Sequence, residues 1–187
     1  MSKEQNSRQL LVATMLSLVV TACSHTTSPS AQINDGFAPF SSTRNQAVGL
    51  VASTKHSLGA SDVNTLDVAY TALQEKANAY ASFMVEAITT SSFDPAKNAK
   101  YSADLTTAIA SFDKSYTALS ATRQVSVANT WVPSFAQSLQ TRWDQYNGLI
   151  AKMSPQTKAD LVAAIKRNTV WPNYEDIGTE PVATNRP

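Results

Sequence analysis

Between Ser61 and Ser91 the apolar residues fall at alternating spacings of four and three: Leu66, Tyr70, Leu73, Ala77, Tyr80, Met84 and Ala87, with Ile88 continuing the stripe. That alternation is heptad spacing and puts the whole set on one face of a helix. Ser61 stands where an N-cap is wanted, and no glycine or proline interrupts the run. At 1.5 Å per residue such a helix is about 45 Å long. Asp94-Pro95 then restarts the chain as an N-cap followed by proline at the first helical position, where its missing N–H has no partner to lose. The seam returns as Tyr101, Leu105, Ala108, Phe112, Ser115 or Tyr116, and Leu119. Only a few residues separate the two runs, so the two helices are expected to be antiparallel neighbours.

The flanking pattern is weaker. Residues 42–58 place Val48, Val51 and Leu58 on one helical face with Leu50 beside it. Ser41 or Ser42 is the expected cap, and Gly59 sits where a left-handed stop is wanted. Beyond Arg123, another face is marked by Val125, Val127, Trp131, Phe135, Leu139, Trp143, Tyr146, Leu149 or Ile150, and Met153. Pro133 falls inside it, so either a helix begins near Pro133 or a longer one kinks there, the kink being preferred. Ser154-Pro155 opens a last helix by the same cap logic, with Leu161, Val162, Ala164 and Ile165 inward and Lys166 and Arg167 near its negative end. Residues 23–40 are rich in Ser, Thr, Pro and Asn without periodicity and are expected to form a flexible tether, from which Phe37 and Phe40 dock on the first helix. Residues 169–187 have three prolines and no period and are expected to form an irregular tail. The predicted fold is all-α: an elongated bundle of about four or five helices over residues 41–168, built around the antiparallel hairpin.

Charge and cysteine content narrow the function classes. The chain has 15 basic and 14 acidic residues, of which Lys3, Arg8 and Glu4 lie in the first 22 positions, so the remainder is charge-balanced. Without basic runs it has no electrostatic footprint for nucleic acid or for an anionic membrane surface. Cys23 is the single cysteine, so no disulfide forms within one chain and the fold must stand on its core.

Lys3 and Arg8 precede an apolar run, Leu10 to Val20, broken only by Thr14 and Ser17. The run suits a signal-peptide core and is well short of the roughly 20 residues that a spanning helix needs. It ends in Val20-Thr21-Ala22-Cys23. This resembles the bacterial lipoprotein signal peptide, whose lipobox these four residues match position by position; the resemblance covers about the first 23 residues only. It implies that residues 1–22 are cleaved and that Cys23 carries a diacylglycerol thioether, with acyl chains holding the protein to a membrane. Ser24 follows the cysteine where the family's inner-membrane retention signal has aspartate, which implies the periplasmic face of the outer membrane.

The remaining chain carries no recognisable catalytic or cofactor constellation. His25 and His56 are the only histidines, and neither a Cys pair nor HExxH is present to hold zinc or iron. A haem held by His56 with Met84 or Met153 is weaker than the ordinary reading of one solvated histidine and two core methionines. Ser111-Phe112-Asp113-Lys114 fits S-x-x-K but lacks its companion motifs. Glu75 and Glu86 fall on or beside the polar face of the long helix, where a solvated charge suffices. Trp171 and Tyr174, with Glu175 and Asp176 beside them, are the candidates for an exposed partner contact. The expected function is therefore a non-enzymatic interaction or scaffold module of the cell envelope, without cofactor or metal, with an envelope protein as its partner. The alternative is a ligand-capturing or immunity-type lipoprotein that neutralises a periplasmic enzyme.

Overall fold

The computed structural model describes residues 27–119, 127 and 131–178. Residues 1–22, expected to be a signal peptide, and Cys23, Ser24, His25, Val125 and residues 179–187 lie outside the described residues. Six α-helices are present among those described: α1 Pro29–Gly36, α2 Ala38–Thr54, α3 Ala60–Thr90, α4 Pro95–Leu119, α5 Trp131–Ile150 and α6 Pro155–Thr169, with a short 3-10 turn at Lys55–Ser57. The α3–α4 hairpin is the centre; α5 packs on α4, α6 packs on α3, and α1 and α2 close the bundle against both α5 and α6.

The seam of α3 is buried throughout, from Leu66 to Ile88. The helix starts at Ala60 rather than after Ser61. Gly59 occupies its N-cap position in an extended conformation (φ −70°, ψ 164°), so this glycine starts α3 and is not a left-handed stop for α2. At the other end Ser91 takes the left-handed conformation (φ 54°) that closes the helix. Asp94 then caps α4 as expected, its Oδ1 accepting from the Ala96 and Lys97 amides at 2.9 and 3.1 Å.

On α4 the buried line is Asn98, Ser102, Leu105, Ile109, Phe112 and Tyr116. The helix is thus turned relative to the apolar pattern, leaving Tyr101 and Ala108 half-buried on the flank. Asn98 is the cause. The Tyr80 hydroxyl donates to its Oδ1 at 2.5 Å, and its Nδ2 donates to the Ala136 carbonyl at 2.9 Å. A polar residue holds a seam position because both ends of its amide are satisfied there.

The expected tether is largely helical. Ser28 Oγ accepts from the Ala31 amide at 3.2 Å, Pro29 follows in the first turn, and α2 similarly starts with Pro39. Serine and proline mark linkers, but the same pair starts helices. Ile33, Phe37 and Phe40 anchor these two helices in the core. Phe40 reaches well beyond the first helix, meeting Tyr80 and Trp131 edge-on at 5.9 Å each and Phe135 at 6.0 Å. At the second ambiguous proline, α5 begins at Trp131, so Pro133 lies in the first turn and the helix starts there instead of kinking. In the last helix Ser154 Oγ accepts from the Thr157 amide, as its sequence implies. Lys158 of α6 donates to the Thr89 carbonyl at 2.7 Å, setting a cation at the negative end of α3.

Close packing at Gly36 separates a helical α1 from a tether. A Cβ on Gly36 would run into the Tyr146 hydroxyl of α5. Gly36→Ala is expected to lower stability by about 1–3 kcal/mol through overpacking, and Tyr146→Phe to recover part of that loss. Urea unfolding of the single and double variants checks this; a freely moving tether would leave Gly36→Ala neutral.

Asp113 supplies a second check, on pH. Its Oδ1 accepts from the Val127 amide at 2.7 Å, while partial burial pushes its carboxyl above the ordinary 3.8 against that hydrogen bond. A folded-state value raised above the unfolded one gives stability that is full below the unfolded value and is lost as pH rises through the folded one. Asp113→Asn keeps an acceptor without the charge. Its urea midpoint is expected above the wild type at neutral pH, the two converging as pH falls through the carboxylate range.

Candidate functional site

The two residues expected to form an exposed contact are core residues. Trp171 is 2 % and Tyr174 7 % exposed, and Ile177 is buried with them. They belong to residues 170–178, an irregular strap that leaves α6 and lies over α2 and α3. Irregular backbone of this kind needs hydrogen-bond partners when it is buried. Here side chains supply them.

Asn78 makes a two-way contact with one residue of the strap. Its Oδ1 accepts from the Trp171 amide at 2.8 Å and its Nδ2 donates to the Trp171 carbonyl at 3.2 Å. One turn earlier, Gln74 Nε2 donates to the Pro172 carbonyl at 2.8 Å and to Asn173 Oδ1 at 3.1 Å. A further turn back, the Tyr70 hydroxyl donates to the same Pro172 carbonyl at 3.0 Å. From α2 and the turn after it, Arg44 Nε donates to the Val170 carbonyl at 2.6 Å and Lys55 Nζ to the Tyr174 carbonyl at 3.2 Å.

The Tyr70 ring forms the floor, with Trp171 at 6.2 Å, Tyr174 at 6.3 Å and Phe112 at 6.5 Å between centroids. The Lys55 ammonium stands 5.2 Å from the centre of the Tyr174 ring. Burial holds the Tyr70 phenol above its ordinary pKa in spite of Arg44, so its hydroxyl stays a donor to Pro172. Tyr174 is raised too, by burial and then by the Asp67 carboxylate. Two polar atoms of the strap, Trp171 Nε1 and the Tyr174 hydroxyl, are buried with no hydrogen-bond partner among the described residues.

Sequence reasoning missed this seat. The signal available was Tyr70, Gln74 and Asn78 at intervals of four, a polar line that begins on the apolar seam of α3. A buried polar line needs polar partners, and the period-free segment after Thr169 has backbone groups to offer.

The other candidates are scattered. Ser111 and Lys114 are exposed on α4, Glu75 and Glu86 are exposed on α3, and Glu175 is exposed on the strap. His56 is exposed in the 3-10 turn, Met84 is buried in the core, and Met153 is half-buried. Among the described residues no group of three or more His, Cys, Asp or Glu is placed to hold a metal ion. None of their helices is long and apolar enough to cross a membrane. The outer groove between α3 and α4 is floored by Ala69, Ala72 and Ala108, rimmed by Lys76 and Asp104, and flanked by Val68, which is 63 % exposed.

No protein-family model, no curated protein and no solved structure matches this chain.

The amides on α3 are expected to govern the strap locally. Asn78→Ala removes both bonds to Trp171 and is expected to weaken strap closure by about 1–3 kcal/mol. Native-state hydrogen exchange is the check: the Trp171 amide should exchange about 5- to 150-fold faster, at 1.4 kcal/mol per decade. Equal acceleration of the α3 and α4 core amides would mean that Asn78 supports the whole fold instead.

Proposed function

We propose that the protein is a lipid-anchored, non-enzymatic interaction module of the bacterial cell envelope, held at the periplasmic face of the outer membrane through acyl chains on Cys23. The observation that carries this is Val20-Thr21-Ala22-Cys23 at the end of an apolar leader, with Cys23 the single cysteine of the chain. The sulfur is the atom that takes the diacylglycerol, so a thiol is required at that position. Two or three acyl chains, at about 0.8 kcal/mol per buried methylene, make the attachment effectively permanent, where one chain would be marginal.

Beyond the anchor, the reading rests on the character of the helical domain. The α3–α4 hairpin offers a rigid face about 45 Å long at 1.5 Å per residue. Its outer side bears Val68 and exposed charges of both signs, including the Lys100–Asp104 pair at 2.6 Å. Glu75 and Glu86, the carboxylates that acid catalysis on an envelope polymer would call on, stand in solvent on α3. The partner is an envelope protein. Confinement to a membrane supplies a high effective concentration, so the bundle's own affinity for that partner needs only to be modest.

Cys23→Ala tests the anchor and the interaction together. Crosslinking in intact envelopes followed by mass spectrometry is expected to capture one dominant envelope protein with the wild type. With Cys23→Ala, capture should drop at least about tenfold from the lost avidity, and the protein should leave the membrane fraction. The N-terminal tryptic peptide of the wild type should begin at an acylated Cys23. An unmodified Cys23, or capture unaffected by the substitution, would overturn the reading.

A further inference from the structure

We propose that the seat formed by Arg44, Lys55, Tyr70, Gln74 and Asn78 is a recognition site for an irregular peptide segment, and that a second copy of this chain fills it with its own residues 170–178 by strap exchange. The inference does not depend on the lipid anchor.

The seat has the chemistry of peptide recognition. Seven of the hydrogen bonds it makes go to the strap's main chain, at Val170, Trp171, Pro172 and Tyr174, and one goes to a side chain, Asn173. Asn78 pairs with both the N–H and the C=O of Trp171, as a neighbouring strand would. Main-chain bonds of this kind give affinity for any extended segment, and side-chain pockets select among them. Here the pockets take an aromatic residue at two places three apart, Trp171 and Tyr174, both packed on the Tyr70 ring. Lys55 completes the second pocket from above by facing the Tyr174 ring.

The strap is joined to the rest of the chain at a natural hinge. Val170 caps α6 in an extended conformation (φ −74°, ψ 128°) and is 46 % exposed, so once the Arg44 bond to its carbonyl is released, rotation there swings the strap without unwinding the helix. The seat–strap bonds join residues 93 to 126 positions apart. None of them requires that the two sides belong to one chain. A second copy brings the one segment already shown to fit, residue for residue, whereas any other protein would have to reproduce its spacing of aromatics. Exchange of an identical element is a low-barrier route to a two-fold dimer for that reason. The buried, unpartnered Trp171 Nε1 and Tyr174 hydroxyl keep the closed strap from being held as firmly as its bond count suggests.

Complementation between two full-length variants tests this. Gln74→Ala/Asn78→Ala retains the strap and removes the seat amides; Trp171→Ala/Tyr174→Ala retains the seat and removes the strap anchors. The two are purified in one detergent with different tags, then co-refolded from urea at equal concentration. Exchange predicts a 1:1 heterodimer of twice the monomer mass, captured through either tag, with neither variant dimerising by itself. A mixture that stays monomeric while both variants keep the wild-type helical circular dichroism overturns the proposal. Should either double variant lose that signal, a fluorescently labelled peptide of residues 169–178 is titrated into the wild-type chain. Saturable anisotropy that Asn78→Ala weakens at least tenfold supports exchange, and no saturation at millimolar peptide overturns it.

Discussion

The rest of the bundle depends on one buried polar connection. The Tyr80 hydroxyl of α3 donates to Asn98 of α4, and Asn98 in turn donates to the Ala136 carbonyl of α5. Apolar seams tolerate small slides between helices, because one methyl replaces another. A buried amide does not, since each donor or acceptor left unpaired costs about 1–3 kcal/mol. This connection therefore fixes the axial register of three helices at once. Burial holds the Tyr80 phenol far above its ordinary pKa, which keeps the hydroxyl proton in place to donate. Phe40 and Phe135 then pack edge-on against the same ring at 5.9 Å, bringing α2 into register with the other three.

Aromatic packing carries what a disulfide would carry in another chain of this size. One cysteine permits no internal bridge. The core instead runs as a chain of rings: Phe83 and Tyr101 beside Tyr80, Phe93 stacked on Trp143 at 4.9 Å, and Phe112 on Tyr116 at 5.9 Å. Such pairs contribute roughly 0.5–1.5 kcal/mol each beyond the area they bury. Thr54 adds a polar tie by hydrogen-bonding the Tyr116 hydroxyl at 3.0 Å, joining α2 to α4.

How much of this was legible in the sequence varied with the kind of signal each element uses. The α3 seam was plain, because its buried positions are apolar almost without exception and keep a strict period. The α4 seam was found but rotated, because Asn98 and Ser102 hold buried positions that an apolar pattern passes over. Residues 29–40 were misread for a different reason: Ser28-Pro29 and Pro39 punctuate linkers and helix starts alike. Phe37 and Phe40 were the remaining clue, and they point to a docked segment. The seat was invisible, since an irregular strap has no period and its partners lie about a hundred residues away, on helix faces where Gln74 and Asn78 look merely polar. The proposed lipobox is a different kind of signal, a short local match that owes nothing to the fold.

The short turn at residues 91–94 and the distant strap together order the assembly of the protein. Contacts across the α3–α4 hairpin close small loops, and the entropy of closing a loop grows with its length. The strap closes loops of 93 to 126 residues and finds its seat only when α2 and α3 are both in place. Chains dominated by local contacts fold fastest, so the hairpin forms early and the strap docks last. Until it does, Trp171 and Tyr174 are open to water, and a newly emerged chain passes through a stage when its stickiest surface is the one that its finished fold hides.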